Sequence, residues 1–174
     1  MTDLGREQAR NAGNYLRDKG VTVLRSSPFH RAEQTARIAG EYMDLVPKLD
    51  DDLREIDGGD YDFKTDDQSW REWREIYTRW KQGDMSASFP GGESYQQGYD
   101  RFLRALLRCD ADKNTVLVAH AGIIRTVVPY LCVNAAALQN IKAPHNCGVV
   151  VLHYYDANRF ECEAWDLHEF PKEG

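Results

Sequence analysis

Two side chains in this sequence, one cationic and one titratable, stand where a predicted helix begins after a predicted strand. Arg31 lies in the first turn of the helix that opens after Ser27-Pro28, and His120 ends the apolar run 115–119. The helix dipole disfavours a cation in the first turn unless an anion lies close by, so Arg31 is a candidate phosphate clamp. The alternative is an ordinary surface arginine. His120 is a candidate catalytic imidazole, and the alternative there is a hydrogen-bonded structural histidine.

Glu55 is the third residue whose position suggests chemistry. It follows the acidic triplet 50–52 and precedes Gly58-Gly59, so it is a candidate general acid. Taken alone, a solvated carboxylate is the simpler interpretation. In open α/β sheets, ligands bind at the C-terminal ends of the strands, where helix N-termini present free N–H groups. We therefore expect Arg31 and His120 to meet at one edge of the sheet.

The elements that would position these residues follow from hydrophobic periodicity and from capping residues. The pattern predicts helices over 2–19, 28–43, 69–82, 95–109 and 123–132, and strands over 21–24, 115–119, 149–155 and 160–167. Thr2 is the expected cap of the first helix, Ser27 that of the second, and the last two strands are expected to form a hairpin. The unbroken apolar run 115–119 is typical of a strand covered on both faces. Strands that alternate with helices predict one layered α/β domain.

The third predicted helix carries a stripe of aromatic side chains on one face. Trp70, Trp73, Tyr77 and Trp80 follow one another at steps of three or four residues. Such a stripe is most often part of the core. It could instead form a wall of a substrate pocket or the contact of a homodimer, and a pocket wall of this kind would favour a bulky or aromatic leaving group.

Composition excludes several classes of function. The chain has 174 residues with 22 Lys plus Arg against 28 Asp plus Glu, and this net charge of -6 argues against a nucleic acid or an anionic membrane as partner. An apolar run of roughly 18 residues, the length that spans a bilayer, is absent from the sequence, and the first residues lack the apolar core of a signal peptide. A cytoplasmic location is the expectation. The four cysteines form no C-x-x-C pair, so buried reduced thiols are expected.

Five stretches of the sequence, in their order and spacing, resemble the histidine phosphatase superfamily, the phosphoglycerate mutase-like group. They are LGREQA at 4–9, SSPFHRAEQTA at 26–36, LRE at 53–55, PGGES at 90–94 and VAHAGIIR at 118–125. The resemblance implies a three-layer α/β/α fold with a mostly parallel sheet, which would make residues 1–174 a single domain of that superfamily.

The resemblance also implies a reaction. The family transfers a phosphoryl group from a small-molecule phosphomonoester through a phosphohistidine, without a cofactor or a metal. Arg31 would clamp the phosphate, His120 would donate a hydrogen bond to the phosphoryl oxygens, and Glu55 would protonate the leaving oxygen and later help to activate water. Ala121 is assigned to the phosphate-binding set with His120. Glu93 and Ser94 match a motif beside the pocket, where they would contact the ligand or order a loop.

The sequence departs from the family at one decisive point. The family's nucleophilic histidine belongs to an Arg-His-Gly motif on the first strand, and this sequence contains no such tripeptide. We therefore expect a fold without its first strand, truncated at the N-terminus, and a chain that is inactive as given. His30 is expected to face solvent and is not a substitute nucleophile. The other three histidines are predicted to be structural or exposed: His145, His153 and His168.

Three explanations of the shortened N-terminus stay open: a start codon placed too late, a deliberate truncation, or a pseudoenzyme that keeps an anion pocket without turnover. We favour the first, because Arg31, Glu55 and His120 are all retained. The short segment between Glu55 and Pro90 resembles that of α-ribazole phosphatase-like members more than that of the mutases, so phosphatase activity is preferred to mutase activity. The rival hypothesis is a non-catalytic module that binds a phospho-ligand or a protein.

Overall fold

The computed structural model describes residues 1–138 and 140–170. Helices alternate with strands in these residues. The predicted domain limit at Gly174 lies outside them. The helices are α1 (Asp3–Leu16), α2 (His30–Glu41), α3 (Asp67–Lys81), α4 (Tyr95–Leu107) and α5 (Ala121–Leu131). The strands are β1 (Val21–Ser26), β2 (Lys48–Leu49), β3 (Asn114–Val118), β4 (Val149–Asp156) and β5 (Arg159–Leu167). The predicted order of elements is confirmed, with β2 as an addition.

A parallel sheet of three strands in the order β2-β1-β3 forms the centre of the fold. Successive side chains of β1 point to opposite faces, as the pleat requires. Leu24 lies against Gly40 of α2, whereas the guanidinium of Arg25 donates to the carbonyl of Ala105 on α4. Helices therefore cover both faces of the sheet, and the predicted layered α/β fold is confirmed.

The last two strands form a separate antiparallel sheet, as predicted for the hairpin. β3 is an edge strand of the parallel sheet, and its residues 115–118 are only half-buried. The open side of β3 is an edge and not a face of the sheet, because no strand in the described part of the chain pairs with it. The buried Thr115 hydroxyl has no hydrogen-bond partner among the described residues.

Local capping explains where the first two helices begin. The Thr2 hydroxyl accepts a hydrogen bond from the N–H of Gly5, which confirms the predicted cap of α1. Ser27 does not cap α2, because the helix begins at His30 with Phe29 in the capping position. The Ser27 hydroxyl instead accepts a hydrogen bond from the N–H of Phe29 and faces His120. It therefore contacts the residue at the edge of the sheet and does not cap the helix.

The main core lies between α4, α5 and the hairpin. Its fully buried members include Leu53, Phe102, Ile123, Val127 and Phe160. A second, aromatic cluster joins α3 to the segment before α4. In the described part of the chain, no helix has the length and apolar character needed to cross a membrane.

Candidate active site

His120 and Arg31 meet at the C-terminal edge of the parallel sheet, as predicted. His120 follows β3 and occupies the capping position of α5, and Arg31 projects from the first turn of α2. The Nε of Arg31 donates to Nδ1 of His120 at 3.2 Å, and Nε2 of His120 lies 2.8 Å from the hydroxyl of Ser27. The imidazole is buried, whereas the arginine side chain stays open to solvent, where it can take up an anion.

The surroundings of His120 select its neutral form. Because the arginine Nε–H donates to Nδ1, that nitrogen carries the lone pair, and Nε2 carries the proton that is donated to Ser27. Burial, together with the positive charges of Arg31 and Arg101, lowers the pKa of His120 from 6.5 to about 4. His120 is therefore an uncharged imidazole at neutral pH, held in one orientation by two neighbours.

The carboxylate of Glu55 lies against the N-terminus of α5, the helix that begins directly after His120. One carboxylate oxygen accepts hydrogen bonds from the N–H groups of Ile123, at 2.6 Å, and Ile56, at 3.0 Å; the other accepts from Gly122 at 3.1 Å. A carboxylate there satisfies free N–H groups of the first turn and faces the positive end of the helix dipole. Gly122 is needed because a Cβ at that position would lie only 2.7 Å from the carboxylate.

Arg101 of α4 fixes the segment that carries Glu55. Its buried guanidinium makes a bidentate pair with Glu93, at 2.7 and 2.9 Å. It also donates to the backbone carbonyls of Asp52, Arg54 and Glu55 at 2.8 to 2.9 Å. Burial opposes the charge on Glu93, but the hydrogen bonds from Arg101 hold its pKa below the ordinary value. Glu93 therefore orders this loop through Arg101.

Ser94 and Ala121 have different places at the site. The Ser94 hydroxyl accepts from the N–H of Gln97 and completes a capping box at the start of α4, so it is a helix cap. Ala121 is the first residue of α5. The N–H groups of the two residues after it are bound to Glu55, and the described residues offer no acceptor for the N–H of Ala121 itself.

A cavity of about 200 Å³ opens beside Glu55 and Gly122. Trp73, Tyr77 and Phe89 form an aromatic wall of this cavity. The polar members of the lining are Glu55, Asp62 and Arg125. The four aromatic residues of α3 therefore lie in different surroundings. Trp73 and Tyr77 line the cavity, Trp80 is buried in the core, and Trp70 is 47% exposed.

A family comparison agrees with this geometry. The family described as "Histidine phosphatase superfamily (branch 1)" matches residues 1–168. The chain belongs to the histidine phosphatase superfamily. The resemblance that the five motifs predicted is thereby confirmed.

Solved structures and curated relatives place the chain among phosphatases and mutase-like proteins of this superfamily. A mycobacterial glucosyl-3-phosphoglycerate phosphatase, solved with VO3, is 27% identical with a TM-score of 0.78, over 95% of this chain and 85% of that one. The α-ribazole phosphatase of Shigella flexneri has a TM-score of 0.74 at 21% identity, over 99% and 87%, and shows the fold alone. A Salmonella newport protein named "Probable phosphoglycerate mutase GpmB" is 27% identical over 90% of this chain and 74% of its own length.

Within this member of the superfamily, the structure brings some predicted site residues together and separates others. Arg31 and His120 are in contact, and Glu55 binds the two residues after Ala121. Glu93 does not contact these side chains; it bonds to Arg101 and to the N–H of Asp57 in the loop that carries Glu55. Sequence reasoning missed Ser27 as the partner of His120 because it assigned that hydroxyl to a helix cap. It also missed Arg101, which the sequence does not distinguish from Arg104 on the same helix.

The low pKa of His120 predicts how anion binding depends on pH. A dianion beside Arg31 would offset the positive charge that disfavours protonation, so the pKa of His120 is expected to rise above about 4 when sulfate binds. Binding then takes up a proton, and sulfate affinity should increase as the pH falls from 6.5 towards 4. Sulfate is a suitable probe because it stays doubly charged over this range. NMR titration of the His120 ring, assigned by its loss in His120→Ala, measures the shift; an unchanged pKa in sulfate would contradict the prediction.

Proposed function

We propose that the chain is the greater part of a phosphomonoesterase that forms a phosphohistidine, with the nucleophilic histidine supplied by an Arg-His-Gly segment outside this sequence. The observation that carries the proposal is the direct contact of Arg31 with His120 at the sheet edge, with Glu55 bound to the same helix terminus. This arrangement combines an anion clamp, a hydrogen-bond donor and a proton carrier. The substrate class is a small-molecule phosphomonoester.

The proposed reaction has two displacements at phosphorus. A histidine nitrogen attacks, the P–O bond to the leaving group breaks, and Glu55 gives a proton to the leaving oxygen. Water then attacks the phosphohistidine, Glu55 takes back a proton, and the P–N bond breaks to release inorganic phosphate. Arg31 holds the phosphoryl oxygens during both steps. His120 donates from Nδ1 once the arginine has turned to the phosphate and that nitrogen has gained a proton.

The hydrogen bonds of Glu55 indicate which oxygen carries the proton. One oxygen accepts two N–H groups, from Ile56 and Ile123, and is fully engaged. The other accepts only the 3.1 Å bond from Gly122, and both Glu55 and Gly122 line the cavity. We assign the transferred proton to this second oxygen, because it has the weaker bond and lies beside Gly122 at the cavity.

The open edge of β3 supports the proposed source of the nucleophile. β3 has half-buried apolar side chains and no partner on one side in the described chain, and its C-terminal end leads into His120. A parallel strand paired there would satisfy the free backbone groups of that edge and would end beside His120. We propose that the chain as given, without such a strand, does not turn over substrate.

Phosphate release from p-nitrophenyl phosphate tests the proposal. Three proteins are compared: the chain as given, its His120→Ala variant, and the product of the same reading frame extended upstream to include an Arg-His-Gly segment. We expect the chain as given to match the His120→Ala control, and the extended protein to release phosphate. Release by the chain as given that depends on His120, or an inactive extended protein, would overturn the proposal.

A second candidate function is a module that binds a phospho-ligand or a protein without catalysis. The absence of an Arg-His-Gly tripeptide from a chain that keeps Arg31 and His120 in contact favours it. A reading frame that stops directly before Met1 would favour this function over hydrolysis. Binding of sulfate by the chain as given would then be its first measurable property. Mutase activity is the third alternative, and transfer of phosphate to a second hydroxyl instead of water would reveal it.

The aromatic wall predicts a preference for bulky leaving groups. In the extended enzyme, Trp73→Ala is expected to lower kcat/KM for p-nitrophenyl phosphate by about 3- to 10-fold, because a stacked aromatic contact contributes about 0.5–1.5 kcal/mol. The rate for glycerol phosphate should change less than twofold. Trp70→Ala is the matched control, since Trp70 lies on the same helix but outside the cavity. Equal losses on both substrates would contradict the role of Trp73 as a wall.

A further inference from the structure

Two histidines that are distant from the phosphate site in sequence lie on either side of one carboxylate at the open end of the hairpin. His145 precedes β4, and Asp166 and His168 lie at the end of β5 and just beyond it. Because Val149 pairs with Leu167, the antiparallel register brings these two chain segments together. One ligand atom from each of the three side chains lies within 4.8 Å of the others. None of them belongs to the site of Arg31 and His120.

The same nitrogen of each imidazole lies against Asp166. Nδ1 of His145 bonds to a carboxylate oxygen of Asp166 at 2.6 Å, and Nδ1 of His168 bonds to the backbone carbonyl of Asp166 at 2.7 Å. Nδ1 of His168 also lies 3.5 Å from that carboxylate oxygen. Both hydrogen-bond partners are acceptors, so each Nδ1 carries a proton in the absence of an ion. An ion that takes the place of these protons would contact both Nδ1 atoms and the carboxylate, and each neutral ring would then carry its proton on Nε2.

The backbone around Asp166 holds the carboxylate in place between the rings. Asp166 and Cys147 adopt left-handed conformations, each with φ of 60°. The N–H of His145 donates to the carboxylate at 2.8 Å, and a Cβ on Gly148 would overlap the same oxygen. Left-handed backbone at residues other than glycine is costly and persists only where the surrounding contacts require it. The two rings also stack, with centroids 3.9 Å apart.

Exposure allows an ion to reach this cluster. The side chain of His145 is 62% exposed and that of His168 is 36% exposed, whereas Asp166 is 15% exposed at the base of the cluster. A small cavity of about 90 Å³ adjoins both histidines, with Gln8, Asn11 and Phe170 on its other side. Both rings are therefore accessible to solvent, and the carboxylate is fixed beneath them.

We propose that His145, Asp166 and His168 bind a divalent first-row transition-metal ion, for which Zn²⁺ is the probe. Two imidazoles and one carboxylate are ligands that Zn²⁺ accepts, whereas Ca²⁺ and Mg²⁺ require sets made of oxygen atoms. The ion would lie beside Nδ1 of each ring and the carboxylate, and the ring protons would move to Nε2. Three protein ligands leave one position of a tetrahedral Zn²⁺ for water or an anion. The ion would tie the loop before β4 to the end of β5.

Calorimetric titration of the full untagged chain with Zn²⁺ tests this site. We expect one ion per chain, with the affinity reduced by about 10²-fold or more in His145→Ala and in His168→Ala, since each removes a ligand. His153→Ala is the matched control: His153 pairs with Glu163 on the same hairpin, and the described residues place no third ligand beside them. Co²⁺ should give the visible absorption of a tetrahedral site in the unmodified chain and in His153→Ala only.

The outcomes separate the site from adventitious binding. Because His145 and His168 are exposed, their alanine variants should keep the circular dichroism spectrum and thermal midpoint of the metal-free chain. Zn²⁺ should raise the thermal midpoint of the unmodified chain and leave that of the double variant unchanged. Absence of binding, binding unaffected by either substitution, or binding lost only in His153→Ala would overturn the proposal. These measurements need no turnover, so their outcome does not depend on the proposed phosphatase activity.

Discussion

Replacing Arg31 with alanine is expected to lower kcat/KM of the extended enzyme by about 10³-fold, without a large change in stability. The side chain of Arg31 is exposed, and it joins the site through the hydrogen bond from its Nε to Nδ1 of His120. Removing one positioned donor to the charge that develops in a transition state costs about 10²–10³ in rate, and loss of a charged phosphate clamp should fall at the upper end of this range or above it. Steady-state kinetics with p-nitrophenyl phosphate measures the loss.

Arg37→Ala is the matched control for Arg31→Ala. Arg37 lies on the same helix and pairs with Glu33 at the surface, so its removal should change neither the rate nor the stability by a measurable amount. Arg31→Lys should recover only part of the rate, because an ammonium cannot make the bidentate contact of a guanidinium. In the chain as given, Arg31→Ala should abolish sulfate binding. Retention of full activity in Arg31→Ala would exclude Arg31 as the clamp.

The contact between Arg31 and His120 was predictable because it follows from chain direction alone. Parallel strands β1 and β3 end at the same edge of the sheet, and each continues within four residues into a helix. Residues at these two junctions must therefore lie near each other, whatever the details of packing. The capping position of His120 and the place of Arg31 in the first turn are consequences of that local order.

Other parts of the site were not predictable because they depend on long-range pairing. Arg101 lies mid-helix, and only the packing of α4 against the loop 52–55 reveals that its guanidinium satisfies three backbone carbonyls. The division of the sheet in two depends on which strand lies beside β3, and apolar composition does not specify that. His145 and His168 were predicted to be structural or exposed; their approach depends on the register of β4 against β5.

Arg101→Ala is expected to lower the free energy of unfolding by about 3–5 kcal/mol, the typical cost of removing one partner from a buried ion pair. Glu93 would be left partly buried without its cation, and three carbonyls of the segment 52–55 would lose their donor. Arg104→Ala is the control: Arg104 lies one turn further along α4 and pairs with Asp52 at the surface, so its loss should cost less than about 1 kcal/mol. Denaturant unfolding of the two variants measures the difference.

The pH dependence of stability distinguishes loss of the Arg101–Glu93 ion pair from loss of side-chain volume alone. The folded pKa of Glu93 lies below 4.5, so its contribution to stability is present above pH 4.5 and is lost as the pH falls through the folded pKa. Glu93→Gln should remove this contribution near neutral pH and leave the acid limb flatter than in the unmodified chain. The same guanidinium donates a hydrogen bond to the backbone carbonyl of Glu55. If Arg101→Lys lowers kcat/KM of the extended enzyme by more than its loss of folded protein explains, Arg101 is a positioning residue for the proton carrier.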